Sequence, residues 1–205
     1  MSQLIVLKDG TVSIINDTWT LVNLPASQTE ERKQAGKIVL FKLTGEQSVT
    51  TEQINNTVIP RSGNIILPLS VFIAHQQNLH ERITQGEIGV WLATHESLET
   101  LTKAIPDLNV LPLIAIFVER FADGRIFSLG SLLRTRYGYK NILRSFGDVL
   151  RDQLFFQKRS GFDQFEVRAG HSAQDAIAGL NDFTIPYQGA VDEAKPAFRR
   201  YNRSE

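Results

Sequence analysis

The chain has 205 residues, 42% of them hydrophobic and 21% charged, and its 22 Lys plus Arg are balanced by 22 Asp plus Glu. That length fits one globular domain with a full core, and the zero net charge argues against a dedicated nucleic-acid binder, so any electrostatic partner has to be met by a local patch. Cysteine is absent, which removes disulfides, thiolate catalysis, zinc–thiolate sites and cysteine-ligated iron–sulfur clusters from this polypeptide.

Residues 3–7 and 11–15 are β-type runs around Lys8-Asp9-Gly10, and Asp-Gly between alternating apolar residues predicts a hairpin. After a polar stretch, Ile38-Val39-Leu40-Phe41 reads as a strand buried on both faces, and 47–64 as connecting structure. Pro68 suits the first turn of a helix that keeps Leu69, Phe72, Ile73, Leu79 and Ile83 at helical spacing until Gly86. A regular alternation follows. It runs strand 88–93, helix 97–105, strand 111–118, helix 128–137 stopped by Gly138, strand 142–147, helix 149–159 stopped by Gly161, and strand 165–168. Ser172, with Asp175 three residues on, caps a last helix reaching Leu180.

Strands alternating with helices of about ten residues predict an α/β fold with a mostly parallel sheet of about four βα units. The pattern suits an open doubly wound sheet or a half-barrel, since a full eight-unit barrel typically takes about 250 residues. The expected organisation is a β-rich appendage over 1–64 that opens with the hairpin, an α/β domain over 65–190 and a basic tail over 191–205. The first residues lack a basic region, apolar run and cleavage site, and the longest apolar runs, 65–74 and 110–118, contain Pro68 and Pro112. A cytoplasmic location, with no membrane span, is therefore expected.

Charge is densest over 119–159, where nine basic residues face four acidic ones. In parallel α/β sheets, ligands bind beyond the carboxyl ends of the strands, where loops converge and helix amides point at the crevice. That rule selects Asp123, Arg125, Ser128, Asp148 and His171 as one rim, with Arg125 a planar fork for an anion, Ser128 a donor behind it, and Asp148 and Asp123 the acid or base. Arg144 in mid-strand and Arg151 extend the anion-binding set; Arg144, if it faces inward, needs Asp148 or Asp152 as partner. Taken singly, each residue also has a structural use: Asp123-Gly124 as a turn, Ser128 and Asp148 as helix caps. His75, His80, His95 and His171 form no metal signature, and no dinucleotide, Walker-type or Gly-x-Ser-x-Gly motif is present. No cofactor is expected on these grounds, and no nucleic-acid partner.

Phe121-Ala122-Asp123-Gly124-Arg125-Ile126-Phe127-Ser128, Leu133-Arg134, Tyr137-Gly138-Tyr139, the run from Gly147-Asp148 to Gln153-Leu154, and Gly161-Phe162-Asp163-Gln164-Phe165 resemble a bacterial family, domain of unknown function 934. The likeness extends from about Pro68 to Gln188. Members of that family carry the label of an oxidoreductase of sulfite reduction, and tend to be encoded beside the sulfite reductase haemoprotein. The resemblance thus implies an accessory protein of assimilatory sulfite reduction acting with or on that reductase; the alternative is a small-molecule enzyme binding an anionic substrate at the Arg/Asp rim. Where family members often have a cysteine before Gly-Phe-Asp, this chain has Ser160, so thiol redox chemistry is closed to it there.

Overall fold

The computed structural model describes residues 3–25 and 49–200; the strand expected at 38–41 and the tail residues 201–205 lie outside them. β1 (Gln3–Lys8) and β2 (Thr11–Asn16) form the expected hairpin, with Lys8 opposite Thr11. Its two-residue turn takes positive φ at both positions, which Asp9 (φ 49°) and Gly10 (φ 77°) adopt. The remaining strands are β3 (Thr20–Leu21), β4 (Ile65–Pro68), β5 (Ile88–Ala93), β6 (Leu113–Val118), β7 (Ile142–Gly147) and β8 (Gln164–Phe165). Between and after them lie α1 (Thr51–Asn56), α2 (Leu69–His75), α3 (His80–Thr84), α4 (Leu98–Ala104), α5 (Arg125–Thr135), α6 (Leu154–Arg159), α7 (Ala173–Ala176) and α8 (Ala197–Arg200).

The eight strands among the described residues join one sheet, in the order β2-β1-β8-β7-β6-β5-β4-β3. Neighbours from β3 to β8 are parallel, whereas β1 is antiparallel to both β2 and β8. The α/β expectation holds, but the sheet is of mixed orientation and not the mostly parallel sheet of four βα units. The hairpin docks on β8 and brings antiparallel pairing into the same sheet, and β3, too short to read from periodicity, closes the other edge. Consecutive parallel strands occupy consecutive places, so right-handed crossovers lay their helices on one face. A doubly wound sheet needs that order to reverse; this one is a half-barrel.

The chain between β2 and β3 sets the curl. These are the two edge strands, about 34 Å apart if the sheet were flat, yet only Asp17-Thr18-Trp19 joins them. Three residues reach about 15 Å between the flanking Cα atoms. The sheet must therefore roll up until its edges approach.

Alternation along β6 separates two packing layers, as the period-two pleat requires. Ile114, Ile116 and Val118 meet the helices through Leu101, Ile126, Leu129 and Leu133, while Leu113, Ala115 and partly buried Phe117 face the inside of the curl. Burying a side chain such as Leu101 or Leu133, both fully covered, stabilises by about 1.5–3 kcal/mol. Inside, Trp91, Phe117 and Phe146 form a triangle with ring centroids 5.9, 5.9 and 5.2 Å apart, and the Trp91 Nε1–H donates to Val22 O at 2.9 Å.

Several helices differ from expectation. The helix expected from Pro68 to Ile83 is two, α2 and α3, with Pro68 ending β4. α5 starts at Arg125, which puts Ser128 inside the helix and not at its cap. Residues 149–159 give a 3-10 turn, Arg151–Gln153, before α6, so Asp148 caps no helix. Ser172 caps α7 as expected, accepting from the Asp175 amide. Among the described residues, no helix is long and apolar enough to cross a membrane.

Candidate functional site

A cleft of about 510 Å³ opens at the carboxyl ends of β6, β7 and β8, and β3 reaches it from the other edge through Leu21 and Asn23. Phe117 and Phe146 wall it, and its charged lining is Glu119, Asp148, Glu166 and Arg168. Because the sheet is rolled, strand ends that a flat sheet would hold far apart share this mouth.

Gly147 is what turns Asp148 into the cleft. Its φ is +98°, and a Cβ there would stand 2.5 Å from Val118 O and 2.7 Å from the Phe117 ring, so only glycine fits. The Asp148 amide donates to Val118 O at 2.7 Å, and its Oδ2 accepts from the Phe121 amide at 2.9 Å. Gln153, almost wholly buried, donates from Nε2 to Phe121 O at 2.7 Å. The loop after β6 is thereby gripped at both polar groups of Phe121. Asp148 Oδ1 makes an ion pair with Arg168 Nη2, and Arg168 stays close to half exposed. Arg168 lies on the continuation of β8, where its amide donates to Val149 O at 2.9 Å.

The structure divides the other rim candidates. Asp123 and Arg125 pair with each other at 2.6 Å at the head of α5, and Thr94 Oγ1, at the end of β5, donates to Asp123 Oδ2 at 2.5 Å. The hydrogen bonds from Arg125, together with that from Thr94, hold the Asp123 carboxyl down at about 2. Nearby, burial pushes the Glu96 carboxyl up, although the Ala93 amide donates to it at 2.7 Å. Ser128 lies exposed on α5, His171 is exposed in the turn beyond β8, and Arg151 pairs with Asp182 at 3.1 Å. None of Asp123, Arg125, Ser128, Arg151 and His171 lines the cleft.

Arg144 does face inward, but its partner is neither Asp148 nor Asp152. Asp17, from the β2–β3 link, takes both guanidinium ends, at 2.7 and 3.1 Å, and Gln164 Oε1 accepts from Nε at 3.0 Å. Spacing along β7 could not reveal an aspartate 127 residues away, brought in by the roll of the sheet. The same holds for three more arginines of the basic stretch. Arg134, Arg151 and Arg159 are met by Asp163, Asp182 and Asp192, acids from later in the chain.

A second polar cluster sits at the opposite end of the sheet, before β7 and β8. Arg134 donates to Gly161 O at 2.9 Å, Tyr139 O at 2.7 Å and Asn141 O at 2.8 Å, and pairs with Asp163. Asp163 also accepts from the Leu143 amide at 3.0 Å. Burial pushes both the Asp163 carboxyl and the Tyr139 phenol up. Close packing completes the cluster: a Cβ on Gly130 would meet Phe162 at 2.5 Å, and one on Gly161 would meet Arg134 at 2.5 Å.

A family model described as a bacterial protein of unknown function (DUF934) matches residues 89–198, more than half of the chain. The chain belongs to the DUF934 family. No curated protein and no solved structure matches it. The matched span begins within β5, so the Leu67-Pro68-Leu69 stretch precedes it. The motifs on which the resemblance rests fall at the two ends of the sheet. Leu133-Arg134, Tyr137-Gly138-Tyr139 and Gly161-Phe162-Asp163 build the Arg134 cluster, a framework that ties α5 to the starts of β7 and β8. Gly147 and Asp148 line the cleft, and the Phe121 amide holds the Asp148 carboxylate. Ser160 is buried and donates to Phe156 O at 2.8 Å.

Sequence reasoning reached Asp148 and missed Glu119, Glu166, Arg168 and the Phe117–Phe146 wall. The carboxyl-end rule reaches Arg168 and Glu166 once the strand is bounded correctly: the sequence pattern extends it over 165–168, whereas β8 ends at Phe165.

Proposed function

We propose that the protein is an accessory protein of assimilatory sulfite reduction, acting with the sulfite reductase haemoprotein. An exposed aromatic strip carries this reading. Phe156, Phe183, Ile185, Tyr187 and Phe198 are each at least half exposed. Phe183 lies 4.9 Å from Phe155 and 6.1 Å from Phe156, Phe156 lies 6.3 Å from Phe127, and Tyr187 lies 6.0 Å from Phe198. Exposed groups of large apolar side chains mark a protein contact, and aromatic anchors supply much of the energy in such contacts. The pathway comes from the family resemblance. The absence of cysteine agrees with a partner that carries the redox centre.

The test is affinity capture from cells growing on sulfate as sole sulfur source. Tagged protein is expected to bring down the sulfite reductase, and a Phe183→Ser/Tyr187→Ser variant to lose it. Equal recovery with both proteins, or no reductase with either, counts against the reading.

A second reading, a small-molecule enzyme, is favoured by the cleft. Asp148 is then the acid or base. Its substrate anion has less support at Arg125, whose guanidinium is engaged by Asp123. Under this reading Asp148→Asn abolishes turnover of the small molecule.

A further inference from the structure

We propose that one end of the aromatic strip, around Ile185, Tyr187 and Phe198, docks on an acidic protein surface, with Lys195, Arg199 and Arg200 as the cations that meet its carboxylates. This rests on the accessory reading and adds the chemistry of the partner's side, an apolar patch bordered by Asp and Glu.

Residues 182–200 carry three acids, Asp182, Asp192 and Glu193, and three cations, Lys195, Arg199 and Arg200. The fold treats the two signs differently. Asp182 pairs with Arg151 at 3.1 Å, Asp192 pairs with Arg159 at 3.3 Å, and Glu193 Oε1 accepts from the Lys195 amide at 3.0 Å. Among the described residues, no carboxylate pairs with Lys195, Arg199 or Arg200. Lys195 and Arg199 are exposed, and the Arg199 guanidinium lies 5.8 Å from the centroid of the Phe198 ring. Arg200 Nη2 donates to Pro186 O at 2.5 Å, while its Nε is buried with no hydrogen-bond partner among the described residues. Leaving a buried donor unpaired is costly. A carboxylate docked against this guanidinium therefore brings a countercharge that the described residues do not supply.

These cations sit with the aromatic anchors. The Ala197 amide donates to Tyr187 O at 2.9 Å, and the Tyr187 and Phe198 rings lie 6.0 Å apart. Ile185, Tyr187 and Phe198 are each more than half exposed. The Phe183 end of the strip differs, because its cations are engaged at home: Arg151 by Asp182, and Lys158 by Leu180 O at 3.2 Å and Asn181 Oδ1 at 3.3 Å. Charge left unmatched beside aromatic anchors selects a partner of opposite potential. Lipid headgroups are recognised by clusters of about four to eight cations, and nucleic acids through contacts to many phosphates. Three cations beside large apolar side chains suit a protein.

The surface is also held in shape, although most of it is neither helix nor strand. Arg159, almost wholly buried, donates from Nη2 to Gln188 O at 2.5 Å, and the Val191 amide donates back to Arg159 O at 3.0 Å. A Cβ on Gly189 would stand 2.5 Å from Ala194 O, so only glycine lets the chain fold back on itself there. Such fixing lowers the ordering cost of binding.

The experiment measures the affinity and association rate of the purified full chain for purified sulfite reductase haemoprotein as sodium chloride is raised. Association is expected to slow with salt. Lys195→Gln/Arg199→Gln, which alters only exposed side chains, is expected to weaken binding roughly tenfold, mainly through the association rate, and to flatten the salt dependence. Lys103→Gln/Lys140→Gln, exposed cations on α4 and before β7, is expected to change neither. Vesicles of phosphatidylcholine and phosphatidylserine are expected not to retain the protein. A complex indifferent to salt and to Lys195→Gln/Arg199→Gln, or weakened alike by both double variants, overturns this inference and leaves the accessory reading standing. Retention on the vesicles that Lys195→Gln/Arg199→Gln abolishes overturns it in favour of a lipid surface. No complex with the parent protein at any salt concentration sinks both.

Discussion

Removing Asp17 tests how the rolled sheet is held. Arg144 is 2% exposed and Asp17 meets both ends of its guanidinium. Asp17→Ala leaves that cation buried with only Gln164 beside it, and stranding a buried charge costs about 3–5 kcal/mol. For a chain of this size each kcal/mol lowers the melting temperature by about 2–4 °C, so the expected drop is roughly 6–20 °C. The double variant Asp17→Ala/Arg144→Met removes the charge as well as its partner, and an apolar replacement of a buried pair is often neutral. It is expected to recover most of the loss. Urea and thermal unfolding of the parent, both single variants and the double variant form the thermodynamic cycle. A loss below about 1 kcal/mol for Asp17→Ala, the range of a solvent-screened surface pair, would show that Arg144 is not held this way. The short link would then lose its role as the clasp between the sheet edges.

Three further outcomes are expected. Gly147→Ala forces a side chain into a positive-φ position against Val118 O, which costs at least about 1–3 kcal/mol and moves Asp148; unfolding and the Asp148 amide shift report both effects. Arg134→Ala strips the donor from the carbonyls of Gly161, Tyr139 and Asn141, where each group left buried and unpaired costs about 1–3 kcal/mol. Its melting temperature is expected to fall by several degrees; intact stability would dismiss the framework role. Asp123 titrates at about 2 in the fold, against about 3.9 in an unfolded chain. A depressed carboxyl pKa stabilises above the unfolded value, and that contribution is lost as pH falls through the folded one. The stability gap between the parent and Asp123→Asn is therefore expected to be widest above pH 4 and to close towards pH 2; a gap that persists under acid contradicts the Arg125 and Thr94 account.

Much of the fold was legible because its signals are local. Asp9-Gly10 specifies a turn whose geometry few other pairs adopt, and the apolar run of β6 meets packing on both faces. The β5 strand and the Ser172 cap read the same way. What escaped depends on distant contacts. Two-residue strands such as β3 and β8 have no periodicity to detect, and they are strands because β4 and β7 lie beside them. The mixed orientation follows from the hairpin docking on β8, which no pattern within residues 3–16 encodes.

The candidate site was legible in part for a related reason. Asp148 follows an apolar strand and a glycine, so the carboxyl-end rule finds it. The basic stretch looked like an anion-binding surface because its acids come from elsewhere: Asp17 lies far upstream, and Asp163, Asp182 and Asp192 lie downstream. Once folded, Arg134, Arg144, Arg151 and Arg159 are paired with those acids, and none of the four lines the cleft.

The accessory reading is tested most directly by titrating the purified protein into purified sulfite reductase haemoprotein and following the complex by sedimentation velocity. The account predicts a saturable complex that Phe183→Ser/Tyr187→Ser weakens and Asp148→Asn leaves unchanged. Two species that sediment independently at every ratio, with sulfite reduction unaffected by the added protein, would contradict it.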